Sequence, residues 1–161
     1  VARFSCEGLD EVVREMDRLA SRSGEVATAM LQAGAEQVKA AWRNSAEAHG
    51  HRDTGDLIES IGFARDPVDV SGAKAIDIYP QGKDSHGQRN AEVAFILHYG
   101  TSKLKGSHWI DDADRACDAT VVPAMTDIWR RYLATGQVPH VALTPNHPSG
   151  KNGGGIKTKK T

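Results

Sequence analysis

Two cysteines in 161 residues, Cys6 and Cys117, are too few and too far apart for a disulfide framework. No CxxC pair is present, so a cysteine-built zinc site is excluded as well, and both are expected as free thiols in a reducing cytosol. Apolar runs are short. None approaches the length that crosses a bilayer, and no apolar leader-like stretch stands near Val1, which points to a soluble protein with no membrane contact. Signature arrangements for catalysis are also missing: there is no HExxH and no G-x-S-x-G. The run Gly153-Gly154-Gly155 has neither a strand before it nor a helix after it, so it cradles no phosphate, and no cofactor is expected.

Acidic residues are absent from one part of the chain. Residues 137–161 carry Lys151, Lys157, Lys159 and Lys160 and no acid, so the chain's 20 basic and 21 acidic residues divide into a body of net −5 and an arm of net +4. A body of that sign is a poor nonspecific binder of phosphates, which requires clustered Lys and Arg. At 161 residues the length allows one domain with an appendage. The division is placed at 136, with a domain over 1–136 and an extended Gly/Pro-rich arm over 137–161.

Hydrophobic spacing predicts the elements. Residues 1–7 alternate weakly and read as a short opening strand. Leu9, Val12, Val13, Met16 and Leu19 follow helical steps over 9–21, with a stop at Ser21-Arg22-Ser23-Gly24. A longer helix over 25–47 places Val26, Met30, Val38, Ala41 and Trp42 on one face, widened by Ala27, Leu31 and Ala35, with Lys39 and Glu36 opposite. Asp53 or Thr54 caps a short turn through Leu57 and Ile58. Strands follow over 61–66 and 73–79, then an exposed polar loop, Gln81–Asn90. The last helix, 110–134, keeps its apolar stripe in phase across Pro123, which falls on the solvent side, and ends at Gly136.

Residues 91–113, AEVAFILHYGTSKLKGSHWIDDA, join these parts. Val93, Phe95, Leu97 and Tyr99 alternate with Ala94, Ile96 and His98, and both sets are largely apolar, as in a strand covered on both faces. Gly100 ends that strand, and Thr101 and Ser102 supply hydroxyls to hold the turn. Trp109 and Ile110 return to the core before Asp111, Asp112 and Asp114, acids that suit the first turn of a helix.

This order, an aromatic residue followed by Gly-Thr-Ser (Tyr99, Gly100, Thr101, Ser102) and an aromatic-aliphatic entry into a C-terminal helix, resembles the neck and tail-completion proteins of long-tailed bacteriophages. Thr54-Gly55-Asp56-Leu57 with Ser60-Ile61 is similar to that family's Thr-Gly-x-Leu-x-x-Ser-Ile segment, and the likeness spans roughly residues 3–135. The family often has a carboxylate before the aromatic-Gly-Thr and a proline before the helix, where this chain has His98 and His108. The resemblance implies a virion protein at the head-tail junction, a tail terminator or tail-completion subunit without enzymatic activity. Its implied partners are other copies of itself in a ring, commonly a hexamer, the major tail tube protein and the head connector or stopper. Genomic DNA would pass through the lumen without sequence-specific binding, which suits a net-acidic body. A connector or stopper of the adjacent neck ring is the neighbouring alternative.

The expected fold is α+β: a small, mainly antiparallel sheet from 61–66, 73–79 and 91–99, packed against the long helix of the N-terminal half and the C-terminal helix. Interface residues are expected at Tyr99, Gly100, Thr101, Ser102 and Trp109, the last as core or as an anchor for a neighbouring subunit. In the arm, Val141 and Leu143 lie in a stretch fit to add as a strand to a neighbour's sheet edge, and Lys157, Lys159 and Lys160 would meet an acidic surface. The rival of another class is a metal-dependent hydrolase using His98, His108 and Asp111 or Asp112. The bland reading of these histidines, hydrogen-bonded or exposed in loops, is preferred, and no metal site is expected. A triad drawn from Ser102, Ser107, His98, His108 and Asp111 lacks a nucleophile elbow.

Overall fold

Two long helices packed along each other set the frame. In the computed structural model, which describes residues 8–146, these are α2 (Ser23–Ala48) and α5 (Trp109–Thr135). Small residues allow the approach. Ala29, Ala33, Gly34 and Ala35 are buried on α2, and a β-carbon on Gly34 would stand 3.2 Å from Met125 Cγ. The buried stripe of α2 is therefore centred on these alanines, while Met30, Val38, Ala41 and Trp42 are half-buried at its margins. Lys39, expected on the wet face, is buried, a correction taken up below. Helix α5 runs unbroken through the exposed Pro123, buries Ala113, Cys117, Ile128 and Tyr132, and stops at Gly136, where φ is 66°.

The pole where α2 begins and α5 ends carries α1 (Leu9–Ser21), as the spacing predicted. Its join to α2 is Arg22 alone, since Ser23 and Gly24 are already helical. Tyr132 Oη donates to the Leu19 carbonyl at 2.7 Å and ties the helix down. Much of α1's apolar side stays uncovered, with Val12 55% and Met16 64% exposed.

At the opposite pole lie α3 (Asp56–Ser60), the first of two short strand pairs and α4 (Asn90–Tyr99), while the chain beyond the first strand runs back along α2, its Arg65 carbonyl accepting from Gln32 Nε2 at 2.8 Å. β1 (Ile61–Phe63) pairs antiparallel with β4 (Ile78–Pro80), and β2 (Val68–Val70) with β3 (Ala73–Ala75). The pairs lie along one hairpin. Its two-residue tip, Ser71 and Gly72, has φ of 53° and 83°, the positive pair a type I′ turn requires. The architecture is α+β, with short antiparallel sheets beside a long helix and a C-terminal helix.

The expected strand over 91–99 is instead the helix α4. Residues apolar at both odd and even positions satisfy either a two-sided strand or a helix, and here burial settles the period. Asn90, Ala94 and His98 are buried at steps of four, with Val93 and Leu97 beside them, while Phe95, Ile96 and Tyr99 face outward. Ala91 and Ala94 favour helix. The sheet accordingly has no third strand among the described residues.

The core at this pole gathers Ala46 from α2, Leu57 and Ile58 from α3, Ile61 from β1, Ala94 from α4 and Trp109 from α5. Trp109 is 0% exposed, so it is a core residue of its own chain, which corrects its placement as an anchor for a neighbour. No helix among the described residues is long and apolar enough to cross a membrane. The expected strand in 1–7 and the lysines Lys151, Lys157, Lys159 and Lys160 lie outside the described residues.

Candidate functional site

The α4–α5 corner, where the Tyr99-Gly100-Thr101-Ser102 motif sits, is built to close the end of a helix. The last carbonyls of a helix have no partner within it, and here the loop supplies donors. Gly100 N–H donates to Ile96 O at 2.7 Å, Ser107 N–H to Leu97 O at 3.0 Å and His108 N–H to His98 O at 3.1 Å. Gly100 has φ 84°, as a left-handed turn glycine should. Space forbids any other residue: a β-carbon there would stand 2.4 Å from both Gly106 N and Leu104 O. Thr101 holds the turn as expected, its Oγ1 accepting from Lys103 N–H at 3.2 Å and Leu104 N–H at 3.1 Å. Tyr99 and Ser102 are exposed beside it.

The structure brings His98, His108 and Asp111 together, with their ligand atoms within 4.8 Å of one another. His98 is buried on α4, His108 sits at φ 54° just before α5, and Asp111 lies in the first turn of α5. Hydrogen-bond polarity decides what this group can do. His98 Nδ1 accepts from the Ile110 N–H at 3.3 Å, so the neutral ring carries its proton on Nε2, which faces Asp111 Oδ1 at 3.7 Å. A metal-ligating histidine has the reverse arrangement, donating from its second nitrogen to an acceptor. His108 Nδ1 lies 3.3 Å from the same carboxylate. As built, Asp111 serves two imidazoles at the entrance to α5.

A second histidine pair closes α2 onto α5. His49 Nε2 lies 2.8 Å from Asp112 Oδ2, and the Arg115 guanidinium binds the other oxygen. Arg115 first, and then His49, hold the Asp112 carboxyl below its ordinary range. His51 Nε2 is 2.8 Å from Ser107 Oγ. Ser107 gives its own proton to the Leu97 carbonyl at 2.9 Å, so His51 is the donor and Ser107 is not an activated nucleophile. Burial, and then the neighbouring His49, push the His51 pKa down and keep that ring neutral.

Beside this corner a cleft of about 460 Å³ opens between the 50–57 segment, the 81–90 loop and α4, with Val93 and Leu97 on one wall. The loop is folded on itself. Asp84 Oδ1 accepts from the His86 and Gln88 N–H groups at 2.9 and 2.8 Å, and Asp56 Oδ2 accepts from Ser85 N–H at 3.0 Å. Asp56, inside the Thr-Gly-x-Leu segment, therefore pins the long loop, which sequence reading left merely exposed.

The largest omission of sequence reading is Lys39. Its Nζ donates to Thr144 O at 2.7 Å and Asn146 Oδ1 at 3.1 Å, lies 3.7 Å from Glu36 Oε1 and stands over the Phe63 ring. Burial lowers its pKa, which Glu36 partly offsets. Glu36 accepts from Thr144 Oγ1 at 2.6 Å and from Thr144 N–H at 3.1 Å. Val138 and Val141 pack on Ala29, Ala33 and Ile128, and Leu143 is half-buried. Within 137–146, then, the arm is held by its own chain. The only hint in the sequence was that Lys39 follows Ala35 by four residues, on the buried stripe.

Comparison with family models, with curated proteins and with solved structures finds no match for this chain.

Proposed function

We propose that this chain is a structural subunit of the head-tail junction of a long-tailed bacteriophage, a tail terminator or tail-completion protein that works as a ring and docks the tail to the head connector. The observation that carries the reading is a set of uncovered apolar side chains that includes one face of α1 (Val12, Val13, Met16) and one of α4 (Phe95, Ile96, Tyr99), beside a built core. Contiguous apolar surface of this kind is kept for association. The resemblance of the Tyr99-to-Ser102 and Thr54-to-Ile61 segments gives the association its setting, and both segments do local structural work that does not depend on catalysis. A net −5 body suits a lumen through which DNA slides without adhering. The adjacent connector or stopper ring is the nearest alternative position.

The test is to image phage particles carrying this chain with a label. Density for the label at the neck supports the reading, and its absence from assembled particles rejects it. A metal-dependent hydrolase is the second reading, favoured only by the convergence of His98, His108 and Asp111. Stoichiometric zinc or manganese in purified protein, lost in Asp111→Ala, would reinstate it.

A further inference from the structure

Val122, Trp129 and Leu133 on α5 and Val68 and Val70 on β2 are exposed singly or in short rows, whereas the uncovered faces of α1 and α4 differ in position and in charge. Val12, Val13 and Met16 share one side of α1, whose sequence carries Asp10, Glu11, Glu15 and Asp17 against Arg14 and Arg18. On α4 the outward side chains are Phe95, at 62% exposure, Ile96 and Tyr99, at 60%, with the Phe95 and Tyr99 rings 4.7 Å apart. Leu104 extends that patch beyond the Gly100 turn. Basic residues flank it, Lys103 and Lys105 after the helix and Lys83 and Arg89 before it, and Glu92, paired with Arg89, is the helix's one acid. The α1 face thus has an acidic rim and the α4 face a basic one.

They also lie at opposite poles of the α2–α5 pair. α1 is tied to Tyr132 near the end of α5, whereas α4 packs at Ala46 and Trp109, at the end of α2 and the start of α5. From Val26 to Ala46, α2 alone spans roughly 30 Å. One chain cannot cover its own α4 face with its own α1.

Resting on the ring reading above, we infer that the occupant of each face is a second copy of this chain, joined head to tail: the acid-rimmed α1 face of one copy seats on the base-rimmed α4 face of the next. Like faces meeting would oppose like charges, which is costly, whereas unlike faces attract. The area is sufficient. At about 200 Å² for a whole large side chain the exposed parts offer roughly 400 Å² on α4 and 300 Å² on α1. With a polar rim in ordinary proportion, the contact buries about 1,100 Å², which clears the size of a specific interface. Two different faces in contact form a heterologous interface, which closes into a ring when the rotation per subunit divides a full turn.

The experiment uses two charge-inserting pairs in the full chain, Val12→Asp with Met16→Asp on α1, and Phe95→Asp with Ile96→Asp on α4. All four positions are exposed, so each variant is expected to keep the parent's helical signal. In sedimentation velocity the parent should form a closed oligomer, each variant alone a monomer, and an equimolar mixture a one-to-one dimer and nothing larger, because each variant retains one sound face. A variant that dimerises by itself, a mixture that stays monomeric, or a monomeric parent would overturn the inference. Should either variant lose its fold, the charge swap Glu11→Lys with Glu15→Lys replaces it: it should weaken assembly at least tenfold relative to the parent, and mixing it with Lys103→Glu, Lys105→Glu should restore an oligomer of the parent's size in which the two chains alternate. These outcomes are independent of the phage setting. Head-to-tail association with no label at a phage neck would leave the contact standing and remove the function.

Discussion

Lys39 Nζ donates to the carbonyl of Thr144 at 2.7 Å, joining the middle of α2 to a segment 105 residues later in the chain. The bond is one part of a latch. Asn146 Nδ2 donates to Phe63 O at 2.9 Å while its Oδ1 receives Lys39, and the space for Asn146 exists because residue 62 is glycine: a β-carbon there would stand 2.5 Å from Asn146 Oδ1. A buried cation, a helix, a strand and an irregular segment are thus fastened at one point.

Truncation should locate that fastening. Ending the chain after residue 136 strips Val138 and Val141 from Ala29, Ala33 and Ile128 and leaves Lys39 without its two acceptors, so the melting temperature should fall clearly. Ending it after 146 keeps both sets of contacts and should give a form that melts well above the shorter one. Lys39→Met should cost about 1–3 kcal/mol, since the Thr144 and Asn146 acceptors lose their donor. Equal stability of the two truncated forms in thermal unfolding would show that the latch carries nothing.

Gly100→Ala should destabilise by about 2 kcal/mol or more, because a positive φ and two backbone atoms oppose the added carbon. Gly106→Ala should behave alike, with its β-carbon 2.5 Å from His98 O. Denaturant midpoints that match the parent would sink the account of this corner.

Trp109→Ala empties the core at the α4 pole and should cost about 3–5 kcal/mol, visible as a lowered melting temperature at every protein concentration. Trp109→Phe should cost much less, because the indole Nε1 is buried with no hydrogen-bond partner among the described residues and its removal relieves that burden. An alanine variant that melts like the parent but assembles poorly would restore Trp109 as an interface anchor.

Acid should act through His51. Its folded pKa lies below the ordinary 6.5, so the unfolded chain binds the proton more readily, and stability falls as pH drops from 6.5 through the folded value. In His51→Gln the amide can still donate to Ser107 but does not titrate in this range. The variant's melting temperature should fall less than the parent's between pH 7 and 5; parallel curves would exclude His51 as the titrating group.

Helices with one wet face were legible from spacing alone: α1 and α5 fall within a residue or two of their expected bounds, and so does α2. Gly100 was legible too, because a glycine between an aromatic residue and a hydroxyl marks a turn whichever element precedes it. What precedes it was not. Residues 91–99 show no dry-wet contrast because α4 exposes Phe95, Ile96 and Tyr99, so the helical period was masked by the apolar face itself. The histidine corner was legible as a list of residues, but its chemistry was not: which nitrogen of His98 accepts depends on the Ile110 N–H, a backbone group that no side-chain pattern encodes. Lys39 escaped for the opposite reason, since a lone cation on a stripe of alanines is read as solvent-facing until its acceptors, over 100 residues away, are known.

The distance along the chain between Lys39 and Thr144 also sets an order in time. A ribosome finishes α2 long before residues 137–146 exist, and the surface on Ala29, Ala33 and Lys39 that this segment will cover stays wet throughout that interval. The two-helix frame and the α4-pole core need only α5 to be free of the ribosome, whereas the latch needs residues 137–146 as well. A chain released short of Asn146 would therefore carry a nearly finished domain with an open apolar groove and a hydrated lysine, and residues 138–146 are what close it.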